Sequence, residues 1–357
     1  MNIVEERKLG MPLFSICVPQ YNRTSFLLKC LESFLTQTFQ DFEVCISDGG
    51  STDSRHCDIL DVLRQSKMPF VWARSEQNLQ YDPNLRSSIS LARGRYCLLF
   101  GNDDMLSGLS ALEKVAKELK TYRFPEVAIV NYRELGSGKT FHRMQRTKII
   151  GGGPHVAATR FRDFSFVSGI VLDRALAQKH ATAVWDGSEM YQMFIGSRII
   201  AEGGRLLGID DVIVLKDIQI AGELVDSYAQ MPVLRERGIR ERRLPLNKYG
   251  RVAFDAVAPF LEPREKARVL RRILFQVLVF TYPPWLIEYR RVQSQNYAMG
   301  VALGMRSRNL LAGLDTDWWT RTYVNLLHVL VSTIGLLTPQ AFYEFLRPRL
   351  YALAKRT

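Results

Sequence analysis

The first 135 residues alternate strand-like and helix-like patterns, and this alternation constrains the fold more than any other feature of the chain. "LFSICVP" (13–19) is an apolar run with β-branched residues that stops at Pro19. "SFLLKCLESFLTQ" (25–37) spaces its apolar residues three and four apart, which predicts an amphipathic helix capped by Thr24 or Ser25. "FEVCISD" (42–48) predicts a second strand, and "GGSTD" after it is turn chemistry. Helix "CDILDVLRQS", strand "FVWARS", helix "PNLRSSISLA", strand "RYCLLF", helix "GLSALEKVAKELKTY" and strand "EVAIVNY" follow in turn. This βαβα order predicts an α/β fold with a Rossmann-like, mostly parallel sheet covered by helices on both faces. Ligands of such sheets bind beyond the carboxyl ends of the strands.

Three polar clusters fall at those ends. One is Pro19-Gln20-Tyr21-Asn22, with Arg23 behind it, and the second is Asp48. The third follows the apolar strand "CLLF", where Gly101 and Asn102 lead into the adjacent carboxylates of Asp103 and Asp104. Two like charges side by side repel, so the pair reads either as a solvated turn or as a site for a hard divalent ion. Neither a GxGxxG dinucleotide turn nor a GxxxxGK[ST] loop is present. A ring at Tyr21 can stack on a base, Asp48 can accept from a base N–H, and a metal on Asp103 can bridge two phosphates. Together these describe a nucleoside diphosphate held without a P-loop.

At these residues the sequence resembles the family 2 glycosyltransferases of the GT-A fold, over residues 12–135. "FSICVPQYNRTSFLLKCLESFLTQTFQDFEVCISDGGSTD" is similar to that family's opening, with a strand ending in P-x-Y-N and another ending in D-x-G-S-x-D. "ARGRYCLLFGNDDML" is similar to its metal-binding segment. The resemblance implies a nucleotide-sugar site formed by Pro19, Tyr21, Asn22, Arg23, Asp48, Asn102 and Asp103. Tyr21 and Asp48 would meet the base, and Asn102 or Asp103 the ribose. It also implies Mn²⁺ or Mg²⁺ on Asp103 and Asp104. Gly101 stands where many members carry the first Asp of D-x-D, which leaves Asp103 as the best metal ligand. The G-x-D-D form looks like the branch that transfers abequose or rhamnose in bacterial surface polysaccharides.

The family's general base precedes a helix in an E-D-x-x-L-x-x-R context. Counting back from Arg198 in "VWDGSEMYQMFIGSRIIAEGG" (184–204) reaches Tyr191 and Gln192, so the nearest acids are Glu189, preferred, and Asp186 in reserve. Either could instead cap the helix. "FVSGIVLD" (166–173) reads as a strand lining the acceptor side, and "HRMQRTKIIGGGPH" (142–155) as a basic loop that closes over the diphosphate or is simply solvated.

Charge divides the chain. Residues 1–230 hold 27 basic and 27 acidic residues, whereas residues 231–357 hold 21 and nine, which accounts for the whole net charge of +12. The expected organisation is a catalytic domain over 1–230, with a nucleotide-binding half (12–135) and an acceptor half (136–230), then a basic helical region over 231–357. That basic excess fits an anionic membrane surface or a lipid phosphate, or else the outer face of a soluble bundle. Nucleic acid is not expected, because the excess lies outside the motif-bearing domain and no binding module is recognisable. Pro283-Pro284 breaks one apolar run, and polar residues interrupt "RTYVNLLHVLVSTIGLLTP" (321–339), so neither is read as a membrane span. "MNIVEERKLG" lacks the apolar core of a signal peptide, and the odd count of five cysteines favours buried free thiols. The expected location is therefore cytoplasmic, peripheral at the inner face of the membrane. The implied reaction is inverting transfer from a nucleotide-diphosphate sugar to a saccharide or polyprenyl-diphosphate-linked acceptor, as in O-antigen synthesis.

Overall fold

A computed structural model describes residues 2–6, 10–66, 68–223 and 238–345. The chain divides into two compact units, Met1–Gln230 and Met231–Thr357. The compositional boundary at 230/231 lies outside the described residues.

The first unit is built on one mixed sheet. Its strands are β1 (Asn2–Glu6), β2 (Phe14–Gln20), β3 (Phe42–Asp48), β4 (Phe70–Arg74), β5 (Tyr96–Leu99), β6 (Met105–Leu106), β7 (Val127–Glu134), β8 (Thr140–Phe141), β9 (Lys148–Gly151), β10 (Ile170–Asp173) and β11 (Leu206–Lys216). The order is β1-β4-β3-β2-β5-β10-β7-β11-β6, with β8 on β7 and β9 on β11. The four strands β4-β3-β2-β5 are parallel, as the βαβα reading requires. Their burial is nearly complete, which explains why they read as apolar runs rather than alternating ones. β10 then runs antiparallel to both β5 and β7 and joins the two halves.

Helices Thr24–Leu35, His56–Ser66, Tyr81–Ser90 and Ala111–Thr121 connect the early strands. The core combines Phe14, Ile16 and Val18 of β2 with Leu27, Leu31 and Phe34 of the first helix, and Phe34 meets Phe100 edge-on at 5.2 Å. The first helix is not capped by its own Thr24 or Ser25. Asp53 Oδ2 instead accepts from Thr24 Oγ1 at 2.6 Å and from its backbone N–H at 3.3 Å. The cap thus ties the loop after β3 to the loop after β2.

Other boundaries shift as well. Only 170–173 of the expected strand 166–173 pairs, and the helix expected within 184–204 is Tyr191–Ala201. Four cysteines are buried as expected, but Cys57 is exposed, and all five are free.

The second unit is helical. Pro283 and Pro284 do not break it. Helix Pro263–Gln276 continues through a π-helical turn, Val277–Thr281, into helix Tyr282–Val292, whose first turn contains both prolines. There the missing proline N–H groups are tolerated, and the widened turn absorbs the mismatch. Helices Gln295–Gly304 and Trp318–Leu337 follow. Among the described residues, no helix is long and apolar enough to cross a membrane.

Candidate active site

Strands β3, β2 and β5 lie side by side and parallel, so their carboxyl ends open on one edge. Gln20 pairs with Asp48 in register, and Asp48 pairs with Arg74 of β4. The polar clusters named from the sequence therefore meet at this edge.

Asn22 and Arg23 both adopt left-handed backbone, φ 50° and 55°. Asn22 is held there by its side chain: Oδ1 accepts from Thr52 N at 2.7 Å and Asp53 N at 3.2 Å, while its own N–H donates to Ser51 Oγ at 2.8 Å. Asn is among the few residues that tolerate this conformation. Gln20 couples this turn to the third cluster, donating to Asn22 O and accepting from Asn102 Nδ2 at 2.7 Å. Pro19 is half-buried within β2, and Tyr21 projects with 38% exposure.

Asp48 is completely buried. Its Oδ1 accepts from Ser51 N at 2.8 Å, which is a turn-forming role. Its Oδ2 lies 3.5 Å from Arg74 Nε, and neither atom has a hydrogen-bond partner. Burying a polar atom without a hydrogen-bond partner is costly, and the Arg74 charge is what stands beside this spare oxygen.

The adjacent aspartates have opposite fates. Asp103 ion-pairs with Arg23 at 2.8 Å, and its side chain is 26% exposed. Asp104, expected as the second metal ligand, turns inward instead. It accepts from Ser168 Oγ and, through Oδ1, from Asp217 N at 3.0 Å. Both of its oxygens are occupied by protein donors, so Asp104 anchors the turn. Burial raises the Asp103 carboxyl above the usual range, with the Arg23 charge opposing it. Burial and then the neighbouring Asp103 push Asp104 well above that range. A Cβ on Gly101 would sit 3.0 Å from Asp103 Oδ1 and 3.1 Å from Asp104 Oδ2, so the glycine leaves room for both carboxylates.

Of the paired aspartates Asp103 is the one with a partly exposed carboxylate, and among the described residues no group of three His, Cys, Asp or Glu could hold a metal. One carboxylate fits Mg²⁺ or Mn²⁺ when substrate phosphates and water complete the shell.

The sequence alone did not single out Asp82. It is buried in helix Tyr81–Ser90 and receives the backbone N–H groups of Ser188 and Glu189, each at 2.8 Å, and of Tyr191 at 3.0 Å. The Asp-Pro at the start of that helix was its only signal. This one carboxylate fixes the turn before helix Tyr191–Ala201 and holds Glu189 at φ 60°. Such backbone is strained for Glu and persists because Asp82 and the helix over-determine it. Glu189 is half-buried, and the residue at the cap of the helix is Met190. Asp186 is differently placed: Arg86 clamps both its oxygens, at 2.5 and 2.8 Å.

The basic loop is also partly committed. Arg143 donates to the carbonyls of Val130, Ser168 and Phe166 and lies over the rings of Tyr132 and Phe166. It braces the strand beside Ser168 rather than hanging free over a ligand.

Residues 15–175 match the family description "Glycosyl transferase family 2". That match supports a family 2 glycosyltransferase over those residues. The abequosyltransferase RfbV of Salmonella typhimurium is 43% identical over 98 residues, which are 27% of this chain and 29% of that one. The chain therefore matches less than a third of that relative's length. Among solved structures, S. aureus TarS 1-349 in complex with UDP has a TM-score of 0.59 at 16% identity, covering 90% of each chain. Mannosyltransferase PcManGT from Pyrobaculum calidifontis, in complex with GDP-Man and Mn²⁺, has a TM-score of 0.52 at 13% identity and covers 92% of this chain and 88% of that one. At these identities the likeness speaks to fold, and the fold is GT-A.

Proposed function

We propose that the chain is an inverting glycosyltransferase that moves a sugar from a nucleotide-diphosphate sugar to a saccharide acceptor during synthesis of a bacterial surface polysaccharide. The observation that carries this reading is the convergence of Tyr21, the spare oxygen of Asp48, and Asp103 on one sheet edge of a family 2 domain. Tyr21 stacks on the base and Asp48 Oδ2 accepts its N–H. Asn22 shapes the turn that presents them. Pro19, Asn102 and Arg23 line the ribose and diphosphate.

The acceptor hydroxyl attacks the anomeric carbon as the bond to the diphosphate breaks, and Glu189 takes the hydroxyl proton. Asp103 would hold Mn²⁺ or Mg²⁺, which when bound neutralises charge on the leaving diphosphate. Arg23, already beside Asp103, supplies fixed positive charge to the same region. With both its oxygens on Arg86, Asp186 supports the acceptor side structurally, which favours Glu189 as base.

The abequosyltransferase relative supports a deoxysugar as the group transferred, and O-antigen is the product class we favour. A polyprenyl-diphosphate-linked saccharide is the acceptor we favour. Five free cysteines suit a reducing, cytoplasmic setting. The test is a panel of sugar nucleotides with Mn²⁺, read by thermal stabilisation and donor hydrolysis. One base class should stabilise the protein and be hydrolysed slowly; no response to any nucleotide sugar contradicts the reading.

A further inference from the structure

Helix Trp318–Leu337 buries several polar side chains and exposes many apolar ones. Its inward face includes Thr320, His328 and Ser332, each satisfied by a neighbouring helix or turn. Thr320 Oγ1 accepts from Arg271 at 2.7 Å, and Ser332 shares a 2.9 Å hydrogen bond with the Tyr282 hydroxyl. His328 Nε2 lies 2.9 Å from the Ala302 carbonyl, so that nitrogen carries the proton, and burial lowers the ring's pKa and keeps it neutral. The outward face is mostly apolar, interrupted by the exposed Arg321, Asn325 and Thr333. Trp318 is 73% exposed, Leu326 66% and Leu337 72%, with Trp319, Val329, Leu330 and Ile334 also exposed. Phe342 and Phe345 extend the exposed apolar side chains through the helical stretch 340–345. A helix on a soluble protein ordinarily buries its apolar stripe and exposes its polar one. Contiguous exposed apolar surface on this scale marks an interaction site.

Two observations identify the occupant. The helix contains no acidic residue and one cation, Arg321, and it belongs to a region carrying the chain's entire net charge of +12. Exposed arginines at 268, 272, 306, 308 and 321 lie in the same unit. A second copy would bring an equally positive unit against this one, whereas an anionic lipid surface complements both the charge and the apolar side chains. The geometry also suits lying flat rather than crossing. Twenty residues of helix span about 30 Å, but the hydrogen-bonded inward face ties this one to its unit along its length. We infer that the face bearing Trp318, Trp319, Leu326, Leu330, Ile334 and Leu337 seats in the interface of an anionic membrane, with the surrounding arginines over the head groups.

The inference is independent of the transferase chemistry, and one experiment separates them. The full chain is co-sedimented with phosphatidylcholine vesicles, with and without phosphatidylglycerol, at low and high salt. Binding should require the anionic lipid, weaken with salt because the attraction is screened, and fall roughly tenfold or more in Leu326→Ser/Leu330→Ser. Both side chains are exposed, so that variant should keep the wild-type unfolding temperature and nucleotide binding. Equal, negligible sedimentation with both vesicle types overturns the inference. So does sedimentation velocity showing a wild-type dimer that the double variant dissolves, which assigns the face to a second copy.

Discussion

Arg23 Nη1 sits 2.8 Å from Asp103 Oδ2, joining the turn after β2 to the turn after β5 across 80 residues of chain. The same guanidinium lies 4.1 Å from the centre of the Phe26 ring, which fixes its position. Arg23 therefore competes for the carboxylate oxygen that a divalent ion would take. Replacing it by Gln should tighten Mn²⁺ binding to the protein without donor, by about two- to fivefold, as expected for a partly exposed ion pair worth up to ~1 kcal/mol. Asp103→Asn should abolish that binding while the protein stays folded. Calorimetric titration with Mn²⁺ checks both, and unchanged affinity in both variants removes Asp103 from the metal site.

The base contacts are tested separately. Tyr21→Ala removes a stacking surface, and Asp48→Asn keeps the bond to Ser51 N while turning the spare acceptor beside Arg74 into a donor. Each should weaken nucleoside diphosphate binding by roughly 1–3 kcal/mol. Calorimetry on the folded variants measures this.

Glu189→Gln preserves size and the strained turn, since Asp82 bonds to the backbone there and not to the side chain. Turnover should fall about 10²–10⁴-fold, the usual range for a positioned base, with nucleotide affinity intact. Asp186→Asn loosens the Arg86 clamp, so it should lower thermal stability more than turnover. The reverse pattern in steady-state assays makes Asp186 the base.

Asp104 carries a pH signature. Its folded pKa is raised, first by burial and then by Asp103, so the folded state binds its proton more tightly than the unfolded chain. Its contribution is full below the ordinary Asp value of about 4 and is lost as pH rises through the raised one. In Asp104→Asn the amide oxygen still accepts from Asp217 N, and the amide nitrogen can donate to Ser168 Oγ. Thermal melts should show the variant gaining on wild type as pH climbs from acid to neutral. A difference that stays flat across that range contradicts the assignment.

The parallel half of the sheet was legible because β2, β3, β4 and β5 are buried on both faces, and β2, β3 and β5 each end at a polar cluster. The short strands β6, β8 and β9 were not, because two to four residues carry no periodicity. Tyr21, Asp48 and Asp103 could be placed on one edge from spacing alone. Which of the paired aspartates faces inward could not, since Ser168 and Asp217, 64 and 113 residues further on, decide it. Asp82 was missed for the same reason: its partners at 188–191 lie more than a hundred residues away. The prolines at 283 and 284 misled because a proline is a break signal except in a helix's first turn, which is where they fall.

The most direct measurement of the central claim is anomalous diffraction from crystals soaked with Mn²⁺ and the nucleoside diphosphate that stabilises the protein best. One manganese peak is expected, bonded to an Asp103 oxygen and to the diphosphate, with the base between Tyr21 and Asp48 Oδ2 and Asp104 still on Ser168. Nucleotide density away from the carboxyl ends of β2, β3 and β5, or manganese coordinated without Asp103, contradicts it.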